Sequence, residues 1–246
     1  RVTDASYIDQ LLAFCIENQI KLVVPTIDTE LLILSKARSQ FLSHGIQLLT
    51  CSNKINRTFF DKRSAQRFFE NNKIPTPRLF SPDEAIQFQA IQYPLLLKPN
   101  QGSCSIGVTK VNNKKELLFY LDYLEDPIIQ EFIEGNEYTI DVLIDFNGDV
   151  RCAVPRLRVE TRAGEVSKAI TINNSDIIDW VYKISKALKG ALGCINIQCI
   201  QQNNGNPKFI EINPRFGGGF PLSAEAGADF PRFIIQMILG IDVNED

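Results

Sequence analysis

Residues 194–213 constrain this chain more than any other stretch, because two runs that alternate polar and apolar residues flank the turn sequence Asn203-Asn204-Gly205-Asn206, the pattern of a β-hairpin. Side chains of a strand alternate faces. Asn196 and Gln198 therefore share one face of the first strand, opposite Ile195 and Ile197. Glu211 and Asn213 share one face of the second, opposite Ile210 and Ile212. One side of the ribbon gathers four oxygen-bearing side chains, and the other is branched aliphatic and needs a core. The polar side is either a solvated face or a set of hard oxygen ligands. Such ligands suit Mg²⁺, which takes one or two protein carboxylates and completes its octahedron with phosphates and water. Pro214-Arg215 and Gly217-Gly218-Gly219 favour the second reading, since they add a cation and a backbone able to approach a ligand closely.

Upstream, residues 7–18 carry apolar positions at helical spacing and precede the short apolar run 22–24; a second helix over 29–43 precedes a strand over 46–49. Alternating helix and strand implies a parallel α/β unit. The chain opens on a helix where such a unit opens on a strand, so the expectation is that its first part lies before residue 1. From Lys54 the pattern changes: one helix to about Asn72, a joint at Pro75 and Pro77, and then strands over 93–98, 107–111, 127–132, 138–146 and 150–158, with Asn147-Gly148 turning the last pair. A helix over 175–189, the hairpin, and a helix over 229–239 complete a mainly antiparallel second part.

Composition narrows the function classes. At 246 residues, with 26 basic against 29 acidic side chains, the chain has no broad positive field to attract a phosphate backbone, so no nucleic-acid partner is expected. No apolar run reaches the roughly 20 residues a membrane span needs, and Arg1-Val2-Thr3-Asp4 lacks the apolar core of a signal peptide; the reading is a cytoplasmic protein with no membrane partner. Six cysteines without a Cys-x-x-Cys pair read as reduced thiols, and the single histidine, His44, beside Gly45, reads as a helix cap.

Two further segments bear on chemistry. Lys98-Pro99-Asn100-Gln101-Gly102-Ser103-Cys104-Ser105-Ile106-Gly107 is a strand end with a lysine and a hydroxyl-rich flexible loop, either a plain surface turn or a cradle for phosphate oxygens. It is not a Walker A loop, since the lysine precedes the glycines. Glu131-Phe132-Ile133-Glu134-Gly135-Asn136-Glu137 is an apolar strand that ends in acidic residues.

Asp61-Lys62, Lys98-Pro99 with its loop, the 131–137 segment, Asn196-Ile197-Gln198 and Glu211-Ile212-Asn213-Pro214-Arg215 occur in an order that resembles the signature of the ATP-grasp superfamily. Within it the pairing of Asn196-x-Gln198 with Glu211-x-Asn213-Pro214-Arg215 is most similar to carbamoyl-phosphate synthase large-chain-like proteins. The resemblance implies an α+β ATP-grasp fold over residues 54–246, two α+β subdomains clasping ATP, preceded at 1–53 by a partial Rossmann-like α/β unit. It implies that Lys62 and Lys98 contact the phosphates, and that Gly102, Ser103, Ser105 and Gly107 belong to a lid over them. The backbone around Glu131, Phe132 and Ile133 would meet adenine, and Glu137 the ribose. Gln198, Glu211 and Asn213 would hold Mg²⁺, or Mn²⁺ in its stead. Arg215 would stabilise the transferring phosphoryl group, and Lys168, with Arg156, Arg158 and Arg162, falls in a segment that in relatives faces the acceptor or the phosphates.

Many ATP-grasp enzymes carry a second carboxylate at the position of Gln198, which leaves the number of metal ions open. The function implied is an ATP-dependent ligase that activates a carboxylate as an acylphosphate for attack by an amine or other nucleophile. Two alternatives are a component that phosphorylates carbamate or another small acid within a larger synthase, and a non-catalytic nucleotide-binding module. Homo-oligomerisation is left open.

Overall fold

The computed structural model describes residues 1–87, 91–102, 106–162, 164–241 and 243. The N-terminal stretch alternates α1 (Tyr7–Glu17), β1 (Leu22–Val23), α2 (Asp28–Leu42) and β2 (Gln47–Leu48), with β1 and β2 parallel as the alternation predicts. Leu34, Phe41, Ile46 and Leu48 bury together as its core. The ring of His44 sits 3.0 Å from the Gln40 carbonyl at the end of α2, the capping place expected of it.

Residues 54–72, expected as one helix, form two, α3 (Asn53–Phe60) and α4 (Lys62–Asn71). Asp61 is the physical reason. Its backbone is extended and its carboxylate accepts the Ser64 amide proton at 2.7 Å, so it caps a new helix instead of continuing the old one. Lys62 thereby becomes the first residue of α4, at the sheet junction.

β3 (Leu79–Phe80), α5 (Pro82–Gln87), β4 (Leu95–Pro99), β5 (Thr109–Val111), α6 (Lys114–Tyr123) and β6 (Pro127–Glu131) follow. Their strands make an antiparallel sheet in the order β3-β6-β4-β5, packed through Leu95, Leu97, Val111, Leu117 and Ile129. β3, α5 and α6 had no counterpart in the sequence reading. α6 starts where Asn113 accepts the Glu116 amide proton at 3.0 Å.

β7 (Asn136–Ile144), β8 (Val150–Arg162), β9 (Glu165–Thr171), α7 (Ser175–Ala187), β10 (Gly193–Gln201), β11 (Pro207–Asn213), α8 (Phe220–Glu225) and α9 (Phe230–Ile238) complete the chain. The five strands form a second antiparallel sheet, β11-β10-β7-β8-β9. The turn at Asn147-Gly148 is held by Asp145, whose carboxylate accepts the amide protons of Asn147 and Asp149 at 2.8 and 2.9 Å. One face of this sheet is the main core: Tyr138, Ile140, Val142, Ile195, Ile197 and Ile212 pack with Ile177, Val181 and Ile184 of α7 and Phe69 of α4. Each such side chain contributes about 1.5–3 kcal/mol by leaving water. The opposite face is polar along most of its length and turns apolar at Leu143 and Cys194, which pack with Phe230, Phe233 and Ile234 of α9.

Candidate active site

Strand pairing puts the polar side chains in rows across the second sheet. Asn213 pairs with Asn196 and Asn196 with Asp141; beside them Glu211 pairs with Gln198, Gln198 with Thr139, and Thr139 with Arg156. All of these but Asp141, with Glu137, Arg158, Arg215 and Gly217–Gly219, line one polar cavity. Behind Arg156 and Asn196, Asp141 is fully buried and accepts four hydrogen bonds: Arg156 Nε at 2.9 Å, Arg156 Nη2 at 3.3 Å, Asn196 Nδ2 at 2.9 Å and Ser223 Oγ at 2.7 Å. A buried carboxylate is tolerable only with such pairing.

A β-bulge modifies the expected parity of the hairpin. Gln198 pairs with Glu211 but Cys199 pairs with Phe209, so Ile210 is the extra residue. Ile212 is in the core as expected, whereas Ile210 is not: it lines two cavities together with Glu211. The bulge re-aims an apolar side chain into the cleft beside the carboxylate.

The first sheet closes that cleft. One cavity is lined by Leu96 and Lys98 from this sheet, by Glu137, Gln198, Ile200, Ile210 and Glu211 from the second, and by Lys62, Gly102, Ile106 and Val108. Lys98 is 9% exposed, and burial pulls its ammonium pKa down to about 8, with Glu211 opposing that shift and Lys62 adding to it. Lys62 is likewise lowered by burial, against the pull of Glu211, and donates to the Gly102 carbonyl at 2.9 Å. Burial pushes the Glu137 carboxyl up, with Arg158 opposing. Asn100, buried at the end of β4, ties the junction together: it donates to Asp61 at 2.7 Å and accepts from the Arg63 amide at 3.1 Å. On the far side of Glu211 and Asn213 lies a third, largely apolar cavity of about 370 Å³, lined by Leu31, Leu32, Phe59, Phe60 and Pro214.

Lys62, Lys98, Gly102, Glu137, Gln198, Glu211 and Asn213 are thus brought to one cleft. Other expected residues are placed differently. Lys168 points away: its side chain is 69% exposed and its ammonium lies 2.6 Å from Glu160, which also binds Arg162. Lys168 pairs with Glu160 from the edge strand β9, where the register with β8 shifts on both sides of that pair. Glu131, Phe132 and Ile133 do not line the three cavities. The Glu131 amide donates to the Arg78 carbonyl at 2.8 Å, its carboxylate accepts the Arg78 amide proton, and Phe132 lies under Lys110. Arg215 borders the polar cavity, but Asp28 of α2 holds its guanidinium in a bidentate pair at 2.6 and 2.5 Å. Gly107 has φ +75 and packs on Pro99, where a Cβ would come within 2.8 Å of that ring. Ser103 and Ser105 lie outside the described residues.

The sequence reading missed Asp141, and it gave Arg156 no firmer place than Arg162. The signal was present in Glu137-x-Thr139-x-Asp141, which alternates with Tyr138, Ile140 and Val142 as the hairpin does. Among the described residues no group of three or more His, Cys, Asp or Glu side chains is placed to hold a metal ion. A donor set of one carboxylate, Glu211, with the amide oxygens of Gln198 and Asn213 fits an ion that draws its remaining ligands from phosphate and water.

Comparison with known proteins agrees with this architecture. Residues 123–246 match the family described as ATP-grasp in the biosynthetic pathway with Ter operon, and the chain belongs to the ATP-grasp family. Residues 1–49 match the PylC-like N-terminal domain. The chain is 33% identical over 93 residues to a D-alanine--D-alanine ligase of Marinomonas sp. (strain MWYL1), covering 35% of this chain and 29% of that protein. It is 22% identical over 242 residues to a carbamoyl-phosphate synthase of Methanobrevibacter smithii, covering 92% and 65%. The biotin carboxylase domain of Hydrogenobacter thermophilus 2-oxoglutarate carboxylase, crystallised with MgADP, ADP and bicarbonate, superposes with a TM-score of 0.81 at 19% identity, covering 97% of this chain and 58% of that one. The chain therefore spans less than two thirds of each of these three relatives. Among the described residues no helix is long and apolar enough to cross a membrane.

Proposed function

We propose that this chain is the ATP-binding unit of an ADP-forming ligase that activates a small carboxylic acid and joins it to an amine. The observation that carries the reading is Glu211, which lines all three cavities at the sheet junction and faces two lysines whose charge is destabilised by burial. Lys62 and Lys98 would receive phosphate oxygens, and an anion there would restore the protonated form that burial disfavours. Leu96, Val108, Ile200 and Ile210 offer an apolar slot for a base, and Glu137 stands at its polar edge for ribose hydroxyls. Glu211, Gln198 and Asn213 would hold Mg²⁺ or Mn²⁺, which supplies charge neutralisation at the transferred phosphoryl group.

The chemistry asks for positioning more than covalent help. A carboxylate oxygen attacks the γ-phosphorus of ATP, the bond to the β-phosphate oxygen breaks, and ADP leaves with the electron pair. The amine nitrogen then attacks the acyl carbon, phosphate departs, and the nitrogen loses a proton. This chemistry requires no histidine or thiol; among the described residues Cys51 and Cys199 are buried, and burial pushes their thiols up to about 11 and about 12. The test is ADP and phosphate release across a panel of acid and amine pairs. The reading predicts release that depends on both partners and disappears in Glu211→Gln. ATP binding without turnover on any pair would contradict it.

A further inference from the structure

Helix α6 (Lys114–Tyr123) packs on the four-stranded sheet with one face only. Strand β4 sends Leu95 and Leu97 to that side, where they meet Leu117, and sends Leu96 and Lys98 to the cleft. α6 therefore lies on the outside of the closing wall. Its outward face is apolar: Leu118, Phe119 and Tyr123 are 45%, 61% and 72% exposed. The rings of Phe119 and Tyr123 stack with centroids 5.9 Å apart and planes within 9°, and Tyr120 meets both edge-on. Single exposed apolar residues are ordinary, but an ordered aromatic pair beside a leucine on one helix face is a contact surface. Rings already held in place lose little further freedom when covered.

The charges around this patch identify what covers it. Lys114 and Lys115 open α6 and Asp122 stands in its last turn, the reverse of what the helix dipole favours. Glu116, the one acid of the first turn, is committed to the cap, accepting from the Asn112 amide at 2.8 Å and the Asn113 side chain at 2.6 Å. Among the described residues Lys114, Lys115 and Asp122 have no ion-pair partner. Lys115, Phe119 and Asp122 form one stripe opposite Leu117, with the two charges about 10 Å apart along the axis. A partner that answers this stripe presents acid, apolar surface and base in the reverse order. α6 of a second copy, run antiparallel, has that order.

We propose that α6 is a self-association surface, on which two copies of this chain pack antiparallel about a two-fold axis. An axis between Leu118 and Phe119 brings Phe119 against Phe119 of the second copy and sets Lys115 opposite Asp122 of the second copy at both ends. The 10-residue helix is about 15 Å long, so the contact falls below the roughly 1,200 Å² of a stable complex, and the dimer is weak and concentration-dependent. Because the cleft is on the other side of the sheet, self-association and nucleotide binding are independent.

The experiment is sedimentation equilibrium of the whole chain over a concentration series, with ADP affinity measured alongside. Wild type is expected to show a monomer–dimer equilibrium. Phe119→Asp is expected to weaken it by about tenfold or more and to leave ADP affinity unchanged. Lys115→Glu and Asp122→Lys are each expected to weaken it several-fold, since each sets like charges opposite one another. An equimolar mixture of these two variants, and the double variant, are expected to recover it. All three side chains are exposed, so the fold does not depend on them. A wild type that stays monomeric throughout would overturn the assignment and leave the patch to a different protein. So would a dimer indifferent to Phe119→Asp, or charge variants whose mixture recovers no association.

Discussion

The two sheets contribute to the cleft in different ways. The five-stranded sheet presents its chemistry on regular strands, in rows fixed by backbone pairing, from Asn213 through Asn196 to Asp141 and from Glu211 through Gln198 and Thr139 to Arg156. The four-stranded sheet contributes Leu96 and one buried lysine, Lys98. The first is a fixed array of oxygen donors and guanidinium groups whose geometry is maintained by the core beneath it. The second is a closing wall whose charge depends on what it closes over. In the proposed reading the metal belongs to the five-stranded sheet, the phosphates to Lys62 and Lys98, and the base lies between the two sheets.

The largest effect that would break this division is at the array. Glu211→Gln keeps the shape and removes the only carboxylate of the proposed metal set; turnover is expected to fall by on the order of 10²–10³ while the melting transition stays cooperative. Retained turnover would move the metal elsewhere. Next is the wall. Burial pulls the Lys98 ammonium from its ordinary 10.5 down to about 8, so the folded chain binds fewer protons than the unfolded one between those values. Stability of the nucleotide-free protein is then expected to rise with pH through that window, by about 3 kcal/mol at most. Affinity for ADP should fall as pH rises above about 8, because the protonated amine is the form that attracts phosphate. Lys98→Met should flatten both curves, and a wild-type ADP affinity indifferent to pH would reassign the lysine.

Smaller effects sharpen the comparison. Gly219→Ala, measured by chemical denaturation, is expected to cost about 1–3 kcal/mol, since the added methyl must displace Arg156 or the backbone. Asp28→Asn, which unpairs the half-buried bidentate contact of Arg215, is expected to cost about 1 kcal/mol. Lys168→Ala is expected to change turnover by less than about twofold, because an exposed pair with Glu160 carries little energy.

The sequence made the second sheet largely readable because strand alternation maps directly onto faces: Asn196, Gln198, Glu211 and Asn213 were sorted by parity alone. Ile210 escaped that logic, since a bulge breaks the two-residue period and leaves no mark in a single sequence. Asp61 ended a helix that apolar spacing alone would have continued. Lys168 was assigned by position in a resembling segment, yet its direction was decided by the unforeseen strand β9 and by Glu160. Arg156 was one of four charges in that segment until pairing with Thr139 and the bond to Asp141 separated it from the others. Long-range partners such as Asp28 and Arg215, 187 residues apart, lie beyond any local pattern.

The most direct measurement of the division between the sheets is the affinity for ATP with and without Mg²⁺, by titration calorimetry, in wild type, Glu211→Gln and Lys98→Met. The account predicts that Mg²⁺ strengthens binding in wild type and Lys98→Met but not in Glu211→Gln, while Lys98→Met weakens ATP with or without the ion. An undiminished Mg²⁺ dependence in Glu211→Gln would contradict it.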